Sequence, residues 1–536
     1  MNSIKLHIEP RFVKEENGFR PFQKRTIDAI KNSDARIIMV EAPVGSGKSY
    51  IIRNLIQKYQ FEDKPIILTY PTKILMDAQV ASMKQELDDV AIWPDDEFIA
   101  NSINILNYSS SSLIRYLKRE NISKKLNKGE LLEYLIMRSG VLSKKRVVVT
   151  SPDVLHILIN LKRYCSKSFS RRLANKLQGS YVFFDEFHIY TNLKHFPVLV
   201  ENLLDTIALK IILLSATPYK NEKLKEVIKG FPSENINFSS SVARSRKKGV
   251  EFNYPLDVEI EVFRYTDRKQ SLDRLIELVP KVKKPAAIIF DSIFRLQHLK
   301  NRIYKEFDKK FGGGYIIKEW HGMEKSKDFL LNENTIVLGT SSIEVGIDMD
   351  FKTLITEASY WTSAIQRIGR VGRKDNGKVI LFTNAADFRP LLDRDKYSRT
   401  EFEGILKKSL RDPIGQQIGG TMFRGDSYNF ILRDIDTKKV HTYSQNLFAM
   451  YAIHDDYEDE WKTLDYEDKK EILEDWCIGK NRIKELLLFD RIFEFWGAVE
   501  GRLKSRYDRV DIGYPNKDNN FTLSIQSNDT YTFYGK

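Results

Sequence analysis

The chain has 536 residues, 42% of them hydrophobic, with 86 Lys and Arg against 73 Asp and Glu and a formal net charge of +13. That length suits about three to four domains of ~150 residues, and the basic balance points to a polyanionic partner such as nucleic acid. Cys165 and Cys477 offer neither a disulfide framework nor zinc spacing, no apolar run approaches a membrane span, and Met1-Asn2-Ser3-Ile4-Lys5 lacks a secretion signal core, so a cytoplasmic protein away from the membrane is expected.

Residues 1–17 read as a leading strand and loop. Gly18-Phe19-Arg20-Pro21-Phe22-Gln23 then opens an amphipathic helix over about residues 24–30. The Gln23 amide has the donor and acceptor needed to read an adenine edge. The apolar run Ile37-Ile38-Met39-Val40 leads into Glu41-Ala42-Pro43-Val44-Gly45-Ser46-Gly47-Lys48-Ser49, and residues 50–56 form helix. Strand, glycine-bearing turn and helix is the setting of a phosphate-binding loop, although Ala42 stands where the strict motif has glycine. Gly45 and Gly47 let backbone N–H groups curl around an anion, and the helix N-terminus adds partial positive charge. Lys48 is placed to reach the β- and γ-phosphates, and the Ser49 hydroxyl to ligate Mg²⁺.

A second strand at residues 65–70 ends in Pro71-Thr72-Lys73, whose hydroxyl, backbone N–H and ammonium suit a nucleic-acid backbone. Residues 101–146 read as an inserted, mostly helical and basic segment, and a strand at 146–149 ends in Thr150-Ser151-Pro152. The continuous apolar run Tyr181-Val182-Phe183-Phe184 is typical of a parallel strand buried on both faces. It delivers Asp185-Glu186-Phe187-His188 to a strand end, where open α/β sheets carry their chemistry. Asp185 is placed to hold Mg²⁺, and Glu186 to orient and deprotonate an attacking water. His188 can link this site to the next strand, residues 210–214, which ends in Ser215-Ala216-Thr217; those two hydroxyls can relay a change at the phosphate to the polymer track.

Residues 221–252 are polar and basic and read as a linker between a first domain (1–220) and a second α/β domain (253–390). The second domain's strands end in Asp291-Ser292 and in the run from Thr340 through Gly346 to Asp348. It closes with Gln366-Arg367-Ile368-Gly369-Arg370-Val371-Gly372-Arg373, where arginines recur every third residue. On a helix these lie near one face, and guanidiniums there can stabilise the charge on a transferring γ-phosphate. Residues 391–536 read as a mostly helical accessory domain, with Trp461, Trp476 and Trp496 in its core and short strands at 430–432 and near the end.

As an ordered set, Gln23, Ala42 to Ser49, Pro71-Thr72, Thr150 to Pro152, Asp185 to His188, Ser215 to Thr217, Ser292, Thr340 to Asp348 and Gln366 to Arg373 resemble the superfamily 2 DExH-box helicases over residues 18–375. Asp185-Glu186-Phe187-His188, the run Ser341 to Asp348, and Thr356-Glu357 followed by Gln366 to Arg370 look most like the CRISPR-associated type I helicases. The resemblance implies two RecA-like domains with ATP in the cleft between them, Gln366, Arg370 and Arg373 on the γ-phosphate, and Gly346 and Asp348 in the nucleotide set. It implies single-stranded DNA held by Pro71, Thr72, Lys73, Thr150, Ser151, Pro152, Ser292 and Thr340, and movement 3′→5′. The family's usual HD nuclease domain is not expected here. About 17 residues precede the Gln23 motif, only His441 and His454 of eight histidines lie past residue 390, and His454-Asp455 reads as a surface pair. The expectation is a helicase-only form, as in type I-A or I-D systems, working with a Cascade-type effector complex and a separate HD nuclease subunit. The competing readings are another superfamily 2 motor, such as an RNA helicase or DNA-repair translocase, and an ATP-binding nucleic-acid clamp without turnover.

Overall fold

A computed structural model of the chain describes residues 2–58, 64–120, 128–142, 145–156, 167–190, 195–218, 222–243, 248–263, 268–291, 293–312, 314–320, 332–340, 343, 350–358, 360–383, 388, 393–411, 429–433, 440–442, 521–526 and 530–535. Ser292, Gly346, Asp348, His454, Asp455 and the tryptophans 461, 476 and 496 lie outside the described residues. The chain divides into two compact units. One comprises Met1–Val262, Ile343–Leu354 and Ser359–Arg411, the other Phe263–Ser342, Ile355–Ala358 and Asp412–Lys536.

The first unit is built on an eight-stranded sheet in the order Ser233–Asn237, Ile37–Glu41, Ala208–Ser215, Ser180–Asp185, Ile66–Thr69, Lys145–Thr150, Ile103–Asn107, Val90–Trp93. Every neighbouring pair is parallel. Such a sheet is covered on both faces by its crossover helices, so its strands are apolar at successive positions. The two faces share out alternate residues. Ile38, Val40, Leu68, Phe183 and Ile212 belong to one core. Ile37, Met39, Ile67, Val182 and Ile211 belong to the other.

Local chemistry fixes the crossover helices. Pro21–Asn32 starts with proline at its first turn, and the Gln23 Oε1 accepts the Arg20 N–H at 2.8 Å. Thr72 caps Lys73–Glu86 by accepting the Leu75 N–H at 3.2 Å. Buried cations close two C-terminal ends, as the helix dipole favours. Lys210 Nζ donates to the carbonyls of Ala29 (3.1 Å) and Ser33. Lys145 Nζ donates to those of Ile56 and Gln57, the latter at 3.1 Å.

Two stretches differ from the sequence expectation. Residues 101–146 do contain the helices Ser110–Arg119 and Lys128–Leu142, but they begin with Ile103–Asn107, a wholly buried strand of the sheet. Asn104 masks the apolar signal. Its side chain is satisfied by the neighbouring loop, accepting from Ile99 N–H (3.0 Å) and donating to Ile99 O (2.9 Å). The polar stretch 221–252 holds the helix Glu222–Lys229 and the edge strand Ser233–Asn237, which pairs in register with Ile37–Glu41. An edge strand tolerates polar residues that a central strand does not.

The first unit also pairs the leading strand Asn2–Ile8 antiparallel with Leu256–Val262, which runs parallel to Gly377–Thr383. In the second unit, Ala286–Ile289, Thr335–Gly339 and Ile316–Trp320 are parallel, with helices Arg268–Leu278 and Ile293–Phe311. The class is α/β, with two RecA-like parallel-sheet domains. Beyond residue 411 the described residues form the antiparallel strands Asn429–Arg433, Val440–Thr442, Phe521–Gln526 and Thr530–Gly535. The helices expected over 456–500 lie outside the described residues. Among the described residues, no helix is long and apolar enough to cross a membrane.

Candidate active site

The strand Ile37–Glu41 is flanked by Ala208–Ser215, and that strand by Ser180–Asp185. The loop after Ile37–Glu41, the Ser215 strand end and the Asp185 strand end therefore lie side by side at the carboxyl edge of the sheet. Gly45 and Gly47 take left-handed backbone, with φ of 76° and 88°. The φ of 88° at Gly47 favours glycine, and a Cβ there would also stand 2.5 Å from Gln23 Nε2 and displace that amide. Ala42 is not among the left-handed residues and is fully buried, which explains why alanine serves at a position where the strict motif has glycine. Gln23 is itself buried and turned onto the loop: Nε2 donates to Gly47 O (3.1 Å) and Ser46 O (3.4 Å).

Lys48 opens the following helix, Lys48–Lys58. Its Nζ donates to Ala42 O (3.0 Å) and Pro43 O (3.3 Å), and Glu186 Oε1 lies 3.8 Å away. Asp185 ends its strand, and its Oδ1 accepts the Glu186 N–H at 3.1 Å. Glu186 has φ 49° and ψ 44°, a left-handed conformation costly for a non-glycine residue and characteristic of functional turns. Burial and the neighbouring Glu186 charge push the Asp185 carboxyl up to about 7, against Lys48. Burial also pushes Glu186 upward, but Lys48, His188 and Arg370 together outweigh it and hold Glu186 below the usual carboxylate range. Two adjacent carboxylates are thus driven apart in acidity.

His188 follows in the short turn Phe187–Ile189. Its Nδ1 lies 2.9 Å from Ser215 Oγ and 3.4 Å from Glu186 Oε2. Its Nε2 accepts from the Gln366 side-chain amide, which also donates to Thr217 Oγ1 at 3.0 Å. The Thr217 N–H donates to Ser215 Oγ at 3.0 Å. Gln366 is buried on the helix Trp361–Ile368. The structure therefore joins His188, Ser215, Thr217 and Gln366 in one hydrogen-bonded group beside Glu186.

The arginine segment differs from the helix expected of it. The helix stops at Ile368, Gly369 is its C-cap, and Gly372 has φ 72°, so Arg370 and Arg373 lie in a turn and not on a helix face. Gly369 caps the helix, and Gly372, three residues further on, supplies a left-handed step that turns the chain again. The turn approaches the phosphate loop closely. A Cβ at Gly369 would lie 3.2 Å from Val44 Cβ, and the Arg373 guanidinium carbon is 3.9 Å from where a Cβ on Gly45 would stand. Arg370 is buried and bears electrostatically on Glu186.

Sequence reading missed three supports. Arg20, just outside Pro21–Asn32, donates to Ser46 O and stacks over Phe252 with 4.9 Å to the ring centroid. Asp350 accepts the N–H groups of Arg373 (3.2 Å) and Lys374 (2.9 Å). Tyr70 is buried with its hydroxyl unbonded, and burial followed by the Asp185 charge pushes its pKa well above the ordinary phenol value. None belongs to a motif pattern; Asp350 was signalled only by an acid two residues after Asp348.

The expected nucleic-acid residues of the first unit sit together, because Ile66–Thr69 and Lys145–Thr150 are adjacent strands and the Tyr70 N–H donates to Thr150 O at 3.1 Å. Their hydroxyls are engaged locally: Thr72 caps a helix, Thr150 Oγ1 donates to Tyr108 O (3.1 Å), and Ser151 Oγ accepts the Val154 N–H (3.3 Å). Thr340 belongs to the second unit, where it is buried and its N–H donates to Trp320 O at 3.2 Å.

The residues present fit a magnesium–nucleotide. The loop supplies a left-handed glycine cradle and a buried Ser46 hydroxyl without a hydrogen-bond partner, and Glu186 Oε2 is likewise buried and unbonded. Ser49 and Asp185 are oxygen donors, which suit a hard divalent ion.

Residues 20–225 match the family model described as DEAD/DEAH box helicase. The class defined by this fold and site is a superfamily 2 helicase. Residues 263–376 match the model described as CRISPR-associated nuclease/helicase Cas3, C-terminal. A curated relative, the CRISPR-associated nuclease/helicase Cas3 of Methanothermobacter thermautotrophicus, is 23% identical over 474 residues, covering 81% of this chain and 53% of the relative. The chain is thus similar to a DEAD/DEAH box helicase over one segment and to CRISPR-associated Cas3 over another, and it spans about half the length of that curated relative. Similar solved structures include the DUF1998 helicase MrfA bound to DNA, at 14% identity, TM-score 0.48, covering 84% of this chain and 63% of that one. Another is the Mycobacterium smegmatis helicase Lhr bound to ssDNA and AMP-PNP, at 17% identity, TM-score 0.44, covering 81% and 60%. A third is S. cerevisiae Dbp5 bound to RNA and ADP BeF3, at 16% identity, TM-score 0.42, covering 73% and 94%.

Proposed function

We propose that this chain is an ATP-driven motor that moves 3′→5′ along single-stranded DNA and unwinds target DNA in type I CRISPR antiviral defence. The observation that carries the reading is the buried group in which Gln366 bonds His188 and Thr217 while Lys48 and Arg370 bear on Glu186.

In this reading Lys48 exchanges its carbonyl partners for the β- and γ-phosphates of ATP, and Gln23 and Arg20 keep the loop in shape behind it. Ser49 and Asp185 hold Mg²⁺, which when bound neutralises charge on the phosphates. Glu186 takes the proton from a water that attacks the γ-phosphorus. The bond from that phosphorus to the bridging oxygen breaks, and ADP and phosphate leave. Gln366, Arg370 and Arg373 stabilise the charge that spreads over the γ-oxygens. Departure of phosphate removes their ligand, and the bonds of Gln366 carry the change to His188, Ser215 and Thr217. Gly346 and Asp348 complete the nucleotide set by family resemblance.

Pro71, Thr72, Lys73, Thr150, Ser151 and Pro152, with Ser292 and Thr340, form the DNA track. Because Thr72 and Ser151 cap helix starts, the phosphates there are met by N-terminal amides and Lys73. A Cascade-type complex recruits the motor in the cytoplasm, and a separate HD subunit cuts.

Comparing ATP turnover with single-stranded DNA and single-stranded RNA tests the reading. Stimulation by DNA is expected. Stimulation by RNA alone would make the chain an RNA motor and remove it from DNA unwinding.

A further inference from the structure

The helix Arg399–Ser409 carries none of the motif residues, yet it is tied to the arginine turn. Arg399, buried in its first turn, reaches across so that Nη2 donates to Ile368 O at 3.1 Å. Ile368 is the last residue of the helix that bears Gln366, and its carbonyl also accepts the Val371 N–H at 3.1 Å. The bond therefore falls where helix becomes turn, two residues before Arg370.

The placement is costly in itself. The first turn of a helix favours acids, and a buried guanidinium carries a desolvation penalty that an apolar residue would avoid. One carboxylate serves two buried arginines: Glu403 Oε1 lies 3.9 Å from Arg399 Nε, and Glu403 Oε2 lies 2.9 Å from Arg11 Nη2. Arg399 Nη1 and Arg11 Nε make no hydrogen bond. Burial pulls Arg399 down to about 10; Glu403 raises it, and Arg11 and Arg373 lower it further. Arg373 is thus close enough for its charge to bear on Arg399, while its guanidinium lies beside Gly45 of the phosphate loop. At the far end of the turn, Asp350 accepts the Arg373 and Lys374 N–H groups.

We infer that Arg399 is a positioning residue for the arginine turn: it pins the turn's start through Ile368 O, and so sets where Arg370 and Arg373 stand. The inference rests on the proposed reading of Arg370 and Arg373 as γ-phosphate ligands. It adds a helix outside the motif set to the machinery of ATP turnover, with Glu403, shared with Arg11, as the carboxylate that holds Arg399.

A double-mutant cycle on the full chain tests it, with ATP turnover measured in the presence of single-stranded DNA. Arg399→Met is expected to lower kcat roughly tenfold to a hundredfold, the scale of a displaced catalytic group, with KM for ATP changed less than about threefold. In an Arg373→Ala background the same change should have little further effect, because the residue it acts through is gone. Arg399→Lys, which keeps charge and a donor, should recover part of the loss, and it replaces Met in the cycle if Arg399→Met fails to fold. Losses that multiply across the cycle, or an Arg399 variant with unchanged kcat, would overturn the positioning role. An Arg373→Ala chain with unchanged kcat would instead overturn the reading of the arginines beneath it.

Discussion

The side-chain amide of Gln366 donates to Nε2 of His188, 178 positions earlier in the chain, and the other ring nitrogen of that histidine lies 2.9 Å from Ser215 Oγ. The same Nδ1 also lies 3.4 Å from Glu186 Oε2. One imidazole therefore connects the carboxylate proposed as base, the strand end between it and the phosphate loop, and the segment that carries the arginines.

If this connection transmits the state of the γ-phosphate, breaking it should uncouple turnover from nucleic acid. His188→Ala and Gln366→Ala should each reduce DNA-stimulated ATP turnover about tenfold, while unstimulated turnover changes less. The double variant should be no worse than either single one. Equal losses with and without DNA would mean that the pair supports only the structure of the site.

The acidity of Asp185 gives a pH signature. Its carboxyl is pushed up to about 7 by burial and by Glu186, against Lys48, so near neutrality part of the population carries a proton that Mg²⁺ must displace. Metal binding requires the ionised form. The apparent affinity for Mg²⁺ with ATP should accordingly rise as pH rises through about 7 and level off above it. A titration by calorimetry at several pH values would show this, and a flat profile from about pH 6 to 8 would contradict it.

Lys210 provides a contrast, because it serves the fold and not the reaction. Its Nζ closes the helix that carries Gln23, through the carbonyls of Ala29 and Ser33. Lys210→Met leaves those carbonyls without their donor and should cost about 1–3 kcal/mol in chemical denaturation. Turnover per folded molecule should be unchanged. A loss of kcat without a loss of stability would show that the helix end bears on the site.

The parts of this protein that were legible in its sequence share a physical cause. Strands buried on both faces, such as Tyr181 to Phe184, cannot hide their apolar run, and a glycine turn between strand and helix has few other uses. Where a polar residue is satisfied locally, the signal disappears: Asn104 concealed a central strand, and Ser233–Asn237 reads as linker because an edge can be polar. The helical spacing of Arg367, Arg370 and Arg373 holds only as far as Ile368, because the helix is capped at Gly369 and the chain turns again at Gly372. Arg20, Asp350 and Arg399 act through backbone atoms of residues far away in sequence, and no spacing rule records such partners.

Glu186→Gln bears most directly on the account. The substitution keeps the shape of the side chain and removes its capacity to take a proton. With single-stranded DNA present, the full chain should still bind ATP, measured by fluorescence with a labelled nucleotide, while turnover falls at least a hundredfold. Turnover near that of the unaltered chain would contradict the assignment of Glu186 as base and, with it, the ATP-hydrolysing site described above.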